Sequence, residues 1–312
     1  MYQGFSFDLI PLLRCPRDAG VLRLAGTGQQ EGHILRGTLG CVECRTEYPI
    51  TEGIAQLFDP STIDGVSKHE HQRRDQGAAK DNFGWETSAQ SQMEIIPTME
   101  SLQSLGGMSV LELGCGKGRF TTIMARQSAT IIAMDFSMEV LKRLSSRVEP
   151  LWRIGLVQAD CTKPVVASQS FQRALSTLVS NLPTRQHRHA MYRVVADALT
   201  TDGRFVFNAH HHALRQRFRN IPQAGHYPES GIFRYLFRRS EVMEECGLYF
   251  ERVQCRPIQI TLPLAGRLGL QTVTLSRIAE KVPVLNQLGE LLLGVGERSI
   301  EPRRERGSCP RI

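Results

Sequence analysis

Three glycines in five residues, Gly114, Gly116 and Gly118, interrupt the segment Val110-Leu-Glu112-Leu-Gly114-Cys115-Gly116-Lys117-Gly118-Arg119-Phe120. Glycine opens backbone angles closed to other residues and lets a ligand approach the main chain. A helix starting just after such a turn aims amide donors into the same crevice, which suits a phosphate or an adenosine group. The spacing is Gly-x-Gly-x-Gly, not the Gly-x-Gly-x-x-Gly of a dinucleotide fingerprint. Lys117 is followed by Gly118, so a P-loop is disfavoured as well. Two acids, Asp135 and Asp160, close the next two apolar runs, where carboxylates are strong acceptors for hydroxyl and amino donors. Three of the eight cysteines, Cys15, Cys41 and Cys44, lie near the start of the chain and the others are scattered singly. His210, directly after Phe207-Asn-Ala209, is the best single candidate for a general base.

Positioning such groups takes alternating strands and helices. A helix at about 92–105 precedes strand 109–113, the glycine turn and a helix near 118–127. Strands 130–134, 154–158, 171–176 and 204–207 alternate with helices at 137–147 and 184–199, the latter N-capped by Thr184. A later helix runs from Ser240 to Gly247, and extended runs 249–254 and 257–262 would form a terminal antiparallel hairpin. Residues 282–296 read as an amphipathic helix. The expected fold class is α/β, a doubly wound, Rossmann-like sheet of seven strands behind a small β-rich N-terminal head.

The pattern Glu-Leu-Gly-Cys-Gly-x-Gly, with Asp135 after the second strand and Asp160 after the third, resembles class I S-adenosylmethionine-dependent methyltransferases over roughly 105–255. The resemblance implies S-adenosyl-L-methionine as cofactor, with Asp135 on the ribose hydroxyls and Asp160 near the adenine amino group. It implies a cofactor site drawn from Glu112, Gly114, Cys115, Gly116, Gly118, Asp135, Phe136, Asp160, Cys161 and Ser176. The fourth strand begins Phe171-Gln172 where the family usually has Phe-Asp. His187 and His189 fall on a helix, where a surface position is expected. The run His210-His211-His212 cannot converge on one ion, because adjacent residues point apart.

The segments Leu13-Arg-Cys15-Pro-Arg-Asp18 and Gly40-Cys41-Val-Glu-Cys44-Arg-Thr-Glu-Tyr48-Pro-Ile50 resemble the zinc-ribbon-like domain of the Trm112 family. That family uses two Cys-x-x-Cys knuckles; here the first reads Cys-Pro-Arg-Asp. Zinc held by Cys15, Asp18, Cys41 and Cys44 is one reading, with His33 as an alternative ligand. Loss of the metal, with Tyr48, Ile50 and Ile54 as a small core, is the other. The stretch Asp81-Asn-Phe83-Gly-Trp85-Glu86 resembles the lead-in of related fused proteins, which makes Phe83 and Trp85 candidates for closing over the cofactor.

The chain of 312 residues carries 38 Lys and Arg against 31 Asp and Glu, a net charge of +7, with 41% hydrophobic residues and eight cysteines. Such a composition excludes a wholly disordered, collagenous or coiled-coil protein, and the cysteines are too sparse for a disulfide scaffold. No run reaches the ~18–20 apolar residues of a membrane span and no secretory signal opens the chain, so a cytoplasmic setting is expected. The expected domains are a head at 1–58, a linker and cofactor lid at 59–90, a methyltransferase domain at 91–262 and a helical extension and tail at 263–312. The segment 208–239, with Tyr227, Phe233, Tyr235 and Phe237 among arginines, is expected to cap the substrate. The expected activity is methyl transfer to oxygen, nitrogen or carbon of a small metabolite that is aromatic, acidic or lipophilic. An RNA methyltransferase, favoured by the net charge, and a catalytically silent binding partner are the rivals.

Overall fold

Alternate residues of the central strands feed two separate cores. Val110, Ile131 and Leu156 enter one apolar cluster, while Leu111, Ile132 and Val157 enter the other. Side chains of a strand point to opposite faces in turn, so apolar residues at every position mean a sheet covered on both sides. The structure, a computed structural model, describes residues 2–25, 29–30, 32–58, 68, 88–179, 182–228, 231–261 and 271–299.

The head supplies β1 (Leu22–Leu24), β2 (Arg36–Cys41), β3 (Glu47–Thr51) and β4 (Ile54–Gln56). The main domain supplies β5 (Ser109–Leu113), β6 (Thr130–Asp135), β7 (Ile154–Gln158), β8 (Phe171–Thr177), β9 (Leu199–His210), β10 (Phe250–Ile258) and β11 (Leu291–Ser299). Its helices are α1 (Ala89–Leu102), α2 (Arg119–Ala125), α3 (Met138–Ser145), α4 (Arg185–Ala198), α5 (Leu214–Phe218), α6 (Arg239–Cys246) and α7 (Thr272–Ala279). All eleven strands form one sheet in the order β10-β11-β9-β8-β5-β6-β7-β4-β3-β2-β1. Strands β5 to β9 pair in parallel, and β11 lies antiparallel between β9 and β10. The α/β class, the seven-stranded Rossmann-like core and the β-rich head are as expected.

Local signals work where they are strong. Thr184 caps α4 by accepting the His187 amide at 3.2 Å, and Ser137 caps α3 through Val140. Gln172, the departure at the start of the fourth strand, accepts the Ser109 amide at 2.8 Å and ties β8 to β5 at the end remote from the ligand crevice.

The C-terminal region departs from expectation. Residues 250–258 form one strand, and its antiparallel partner is β11, not 257–262. The helix expected over 282–296 is a short 3-10 turn, Leu285–Leu288, followed by β11. Gly294 and Gly296 explain the outcome, since two glycines weaken a helix. A Cβ on Gly294 would stand 2.2 Å from Phe207, and one on Gly296 2.6 Å from Phe250. The stacked rings of Phe205, Phe207 and Phe250 occupy that space. The sheet therefore takes in Leu291–Ser299, which was expected in the extension after residue 262.

The head is joined to this sheet edge to edge. Strand β4 pairs in parallel with β7, and the Leu57 amide donates to the Gln158 carbonyl at 2.8 Å. Arg14 and Ala167 amides add bonds to Val165 and Leu12. Phe5, Leu9, Leu39 and Tyr48 share one apolar cluster with Leu111 and Val157. Among the described residues no helix is long and apolar enough to cross a membrane.

Candidate functional site

A cavity of about 190 Å³ opens at the carboxyl ends of β5, β6, β7 and β8. Parallel sheets place ligands at this edge. Gly114 and Gly116 hold φ of +66° and +53°, so the chain bends there as only glycine does readily. Gly114 is pressed against Val179, whereas nothing lies within 4 Å of where a Gly116 Cβ would project. Both line the cavity, with Asp135, Phe136, Asp160 and Cys161. The Gly116 and Ser137 amides each donate to Asp135 at 3.0 Å, one per carboxylate oxygen, which fixes the side chain at the end of β6. Asp160 is fixed by the Thr162 amide and hydroxyl, each at 2.8 Å from Oδ1.

The other expected cofactor residues lie behind this surface. Glu112 is buried beneath the turn, where Thr121 donates to it at 2.6 Å and burial pushes its carboxyl up to about 8. Cys115 is buried as well, and burial raises its thiol far above its usual range. Gly118 starts α2 with φ of +83° and faces Leu144. Ser176 is buried one residue before the lining Thr177, and its hydroxyl has no hydrogen-bond partner among the described residues. Trp85 and Phe83 lie outside the described residues.

The candidate base expected from the sequence lies away from the cavity wall. His210 is absent from the cavity wall; its Nε2 pairs with the Tyr227 hydroxyl at 2.8 Å, and burial pulls its imidazole down to about 4. His211 and His212 turn to the carbonyls of Gly289 and Ile221. His187, expected on the surface, lines the cavity, with Nδ1 2.8 Å from Thr184 Oγ1. Helical capping explains the difference, because the Thr184 turn sets the first turn of α4 at the cavity mouth.

The expected substrate cap is corrected too. Tyr235 and Phe237 meet edge to face and both stand against Arg188, which is buried and bidentate to Glu245 at 2.6 and 3.0 Å. Tyr227 is taken by His210, and no described residue of 208–239 lines the cavity. The loop after β8 does so instead, through Leu178, Val179, Leu182 and Pro183. Leu178 holds φ of +62°, an uncommon backbone for a bulky residue. Phe58, the last described residue of the head, also reaches the cavity. Pattern reading missed these residues because loops lack periodicity; the turn signal Asn181-Leu-Pro183-Thr184 was the one pointer available.

In the head, one ligand atom each from Cys15, Asp18, Cys41 and Cys44 lies within 4.8 Å of the others. Zn–S bonds of about 2.3 Å in a tetrahedron imply edges of about 3.8 Å. Cys15 and Cys44 sulfurs are 3.6 Å apart, and Cys41 Sγ is 3.4 Å from Asp18 Oδ1. The Gly20 amide, donating to Asp18 Oδ1 at 2.9 Å, orients that carboxylate and holds it near 2. The four residues thus fit a zinc ion with three thiolates and one oxygen. Burial pushes the Cys15 thiol up to about 12, which a dication would reverse.

These two sites belong to a Rossmann-like fold behind a head whose Cys15, Asp18, Cys41 and Cys44 could hold a metal ion. Residues 110–203 match the family model of a methyltransferase domain, and residues 6–53 match that of Trm112p-like proteins. The chain therefore carries a methyltransferase domain behind a Trm112p-like domain, and S-adenosyl-L-methionine is the cofactor of such a domain. Among curated proteins it is 28% identical over 149 residues to a phosphoethanolamine N-methyltransferase of Triticum aestivum, covering 47% of this chain and 29% of the relative. It is 27% identical over 85 residues to ribosomal RNA small subunit methyltransferase A of Acidobacterium capsulatum, covering 27% of this chain and 30% of the relative. The chain thus spans under a third of the length of these relatives. Among solved structures, the complex between the Haloferax volcanii Trm112 methyltransferase activator and a methyltransferase aligns with a TM-score of 0.53 at 14% identity, over 74% of this chain and 98% of that one. Haemonchus contortus phosphoethanolamine N-methyltransferase 1, in complex with phosphoethanolamine and S-adenosylhomocysteine, gives 0.51 at 12% identity, over 78% of this chain and 52% of that one.

Proposed function

We propose that the chain transfers a methyl group from S-adenosyl-L-methionine to a small organic acceptor bound beside the loop after β8. The observation that carries this reading is the Asp135 carboxylate, held by the Gly116 amide in a cavity that continues to Leu178, Leu182 and His187. In this reading Asp135 takes the ribose hydroxyls, Asp160 and Phe136 face the adenine, and the glycine turn leaves room for the amino acid end. Methyl transfer from a sulfonium is an in-line displacement, so the acceptor atom must sit roughly 3–3.5 Å from the methyl with bulk water excluded. The apolar loop supports such a closed acceptor space. Thr184 Oγ1 accepts the His187 amide, which leaves its hydroxyl proton for Nδ1 and the ring proton on Nε2. His187 is then an N–H donor that orients an anionic or carbonyl-bearing acceptor. Similarity to a phosphoethanolamine N-methyltransferase supports a small acceptor.

Calorimetry with S-adenosylhomocysteine tests the cofactor half: wild-type protein binds and Asp135→Ala binds at least tenfold more weakly. Incubation of extract with methyl-labelled cofactor, followed by separation of metabolites from RNA, tests the acceptor half. Label confined to RNA would replace the metabolite reading. The net charge of +7 and the similarity to a ribosomal RNA methyltransferase favour that second reading. A steep loss of RNA binding with added salt would support it.

A further inference from the structure

The strongest feature outside the cavity is an apolar surface with a basic rim. Phe218 of α5 is 78% exposed, Val284 76% and Ile278 57%, and Val282 and Leu288 are exposed beside them. Helix α5 packs on the 3-10 turn Leu285–Leu288, so Phe218 and the 282–288 side chains share one surface, continuous with Ile278 at the end of α7. Within 214–219 and 277–289 the basic residues are Arg215, Arg217, Arg219, Arg277 and Lys281, and the one acid is Glu280. Glu280 is turned inward to Arg256 at 3.0 Å, and Arg215 and Arg277 are paired to Glu290 and Glu100. Arg217, Arg219 and Lys281 are exposed around the apolar tips.

The position of this surface in the fold matters as much as its chemistry. Leu291 pairs with His210, the last residue of β9, and the His211 ring meets the Gly289 carbonyl at 2.8 Å. The surface therefore sits at the carboxyl edge of the sheet. Next to β9 at that edge, the Leu178 amide bonds to the Asn208 carbonyl at 3.0 Å, and Leu178 lines the cavity. Cavity and apolar surface thus both lie at the carboxyl edge of the sheet.

We propose that this surface docks the protein onto an anionic lipid membrane and brings the cavity mouth to the headgroup layer. Apolar tips flanked by cations are the composition that inserts at an interface, the rings and branched chains entering the acyl boundary while arginine and lysine meet acidic headgroups. The excess of positive charge selects an anionic membrane over a second copy of the chain, whose identical rim would repel it.

Flotation of the full chain with vesicles tests the docking without reference to methyl transfer. Vesicles with 30% (about one lipid in three) phosphatidylglycerol in phosphatidylcholine at low salt should carry the protein, and phosphatidylcholine alone should not. Arg217→Ala with Arg219→Ala should cut partitioning about twenty-five-fold, at about fivefold per lost cation. Phe218→Ser with Val284→Ser should cut it at least tenfold, while thermal melting and S-adenosylhomocysteine binding of both variants stay at wild-type values. Failure of the wild type to float on anionic vesicles overturns the proposal. Floating of both variants as well as the wild type overturns it too, as does a wild-type dimer that the Phe218 and Val284 changes dissociate without any vesicle binding.

Discussion

Arg119 and Glu94 form a buried ion pair, with Nη1 2.6 Å from Oε2 and both side chains under a tenth exposed. Asn208 donates to the second oxygen of the same carboxylate at 3.0 Å, and Ser91 accepts from Arg119. One carboxylate thus ties α1, the start of α2 immediately after the glycine turn, and β9. Removing one partner of a buried pair leaves an uncompensated charge at a cost of about 3–5 kcal/mol. Glu94→Ala should lose about that much in urea denaturation, and Glu94→Gln distinctly less. Equal stability of Glu94→Ala and wild type would deny the pair its structural role.

The two lining glycines should respond differently to alanine. At Gly114 the new Cβ meets Val179 at 2.1 Å on a backbone with φ of +66°, so folding stability falls by more than about 1 kcal/mol. At Gly116 the Cβ meets open cavity space. Gly116→Ala should therefore melt closer to wild type yet weaken S-adenosylhomocysteine binding. Thermal melts beside calorimetry separate the two effects.

Purified protein should hold about one zinc per chain by metal analysis. Cys41→Ser should lose the metal and lower the melting temperature, while Asp18→Cys should keep it by completing four thiolates. Since β4 leads directly to Phe58 at the cavity, chelation should also weaken cofactor binding, and calorimetry with and without chelator measures the link.

His210 gives a pH dependence of defined sign. Burial lowers its pKa from 6.5 to about 4. Between those values the unfolded chain binds a proton that the native chain does not, so stability rises with pH from about 4 to 6.5 and is lost on acidification. Glu112, raised from 4.5 to about 8 by burial, acts in the other direction and weakens the fold as pH rises through that range. His210→Gln should remove the first slope only, so that relative to wild type its denaturation midpoint is higher at about pH 4.5 than at about pH 6.5.

His187→Ala should leave S-adenosylhomocysteine affinity unchanged and raise KM for the acceptor about tenfold, the effect of one lost hydrogen bond to a charged group. Steady-state kinetics at saturating cofactor reads it. A matching fall in cofactor affinity would assign His187 to the other end of the cavity.

The parallel core and the glycine turn were legible because their signals are local: apolar runs for β5 to β7, a Gly-x-Gly-x-Gly turn, and acids closing strands. Asp135 and Asp160 stood at strand ends, and their expected roles came from the resemblance to methyltransferases. The place of His187 at the cavity was obscured because it comes from the Thr184 cap turning α4 toward the crevice, a tertiary relationship that helical periodicity does not carry. His210 attracted attention by its place at the end of β9, yet nothing in the sequence marked Tyr227, from the segment 208–239, as its partner. Strand β11 was hidden by its leucines, which suit a helix, while Gly294 and Gly296 carried the contrary signal.

The pairing of β4 with β7 has a practical corollary for dissection of the protein. Cutting the chain after residue 58 would strip β7 of its neighbour and leave an apolar, two-faced strand as a bare sheet margin. Unprotected margins of that kind recruit other chains. Neither half is a self-sufficient fragment: produced alone, the larger piece should clump, and produced together, the two should mend into one body.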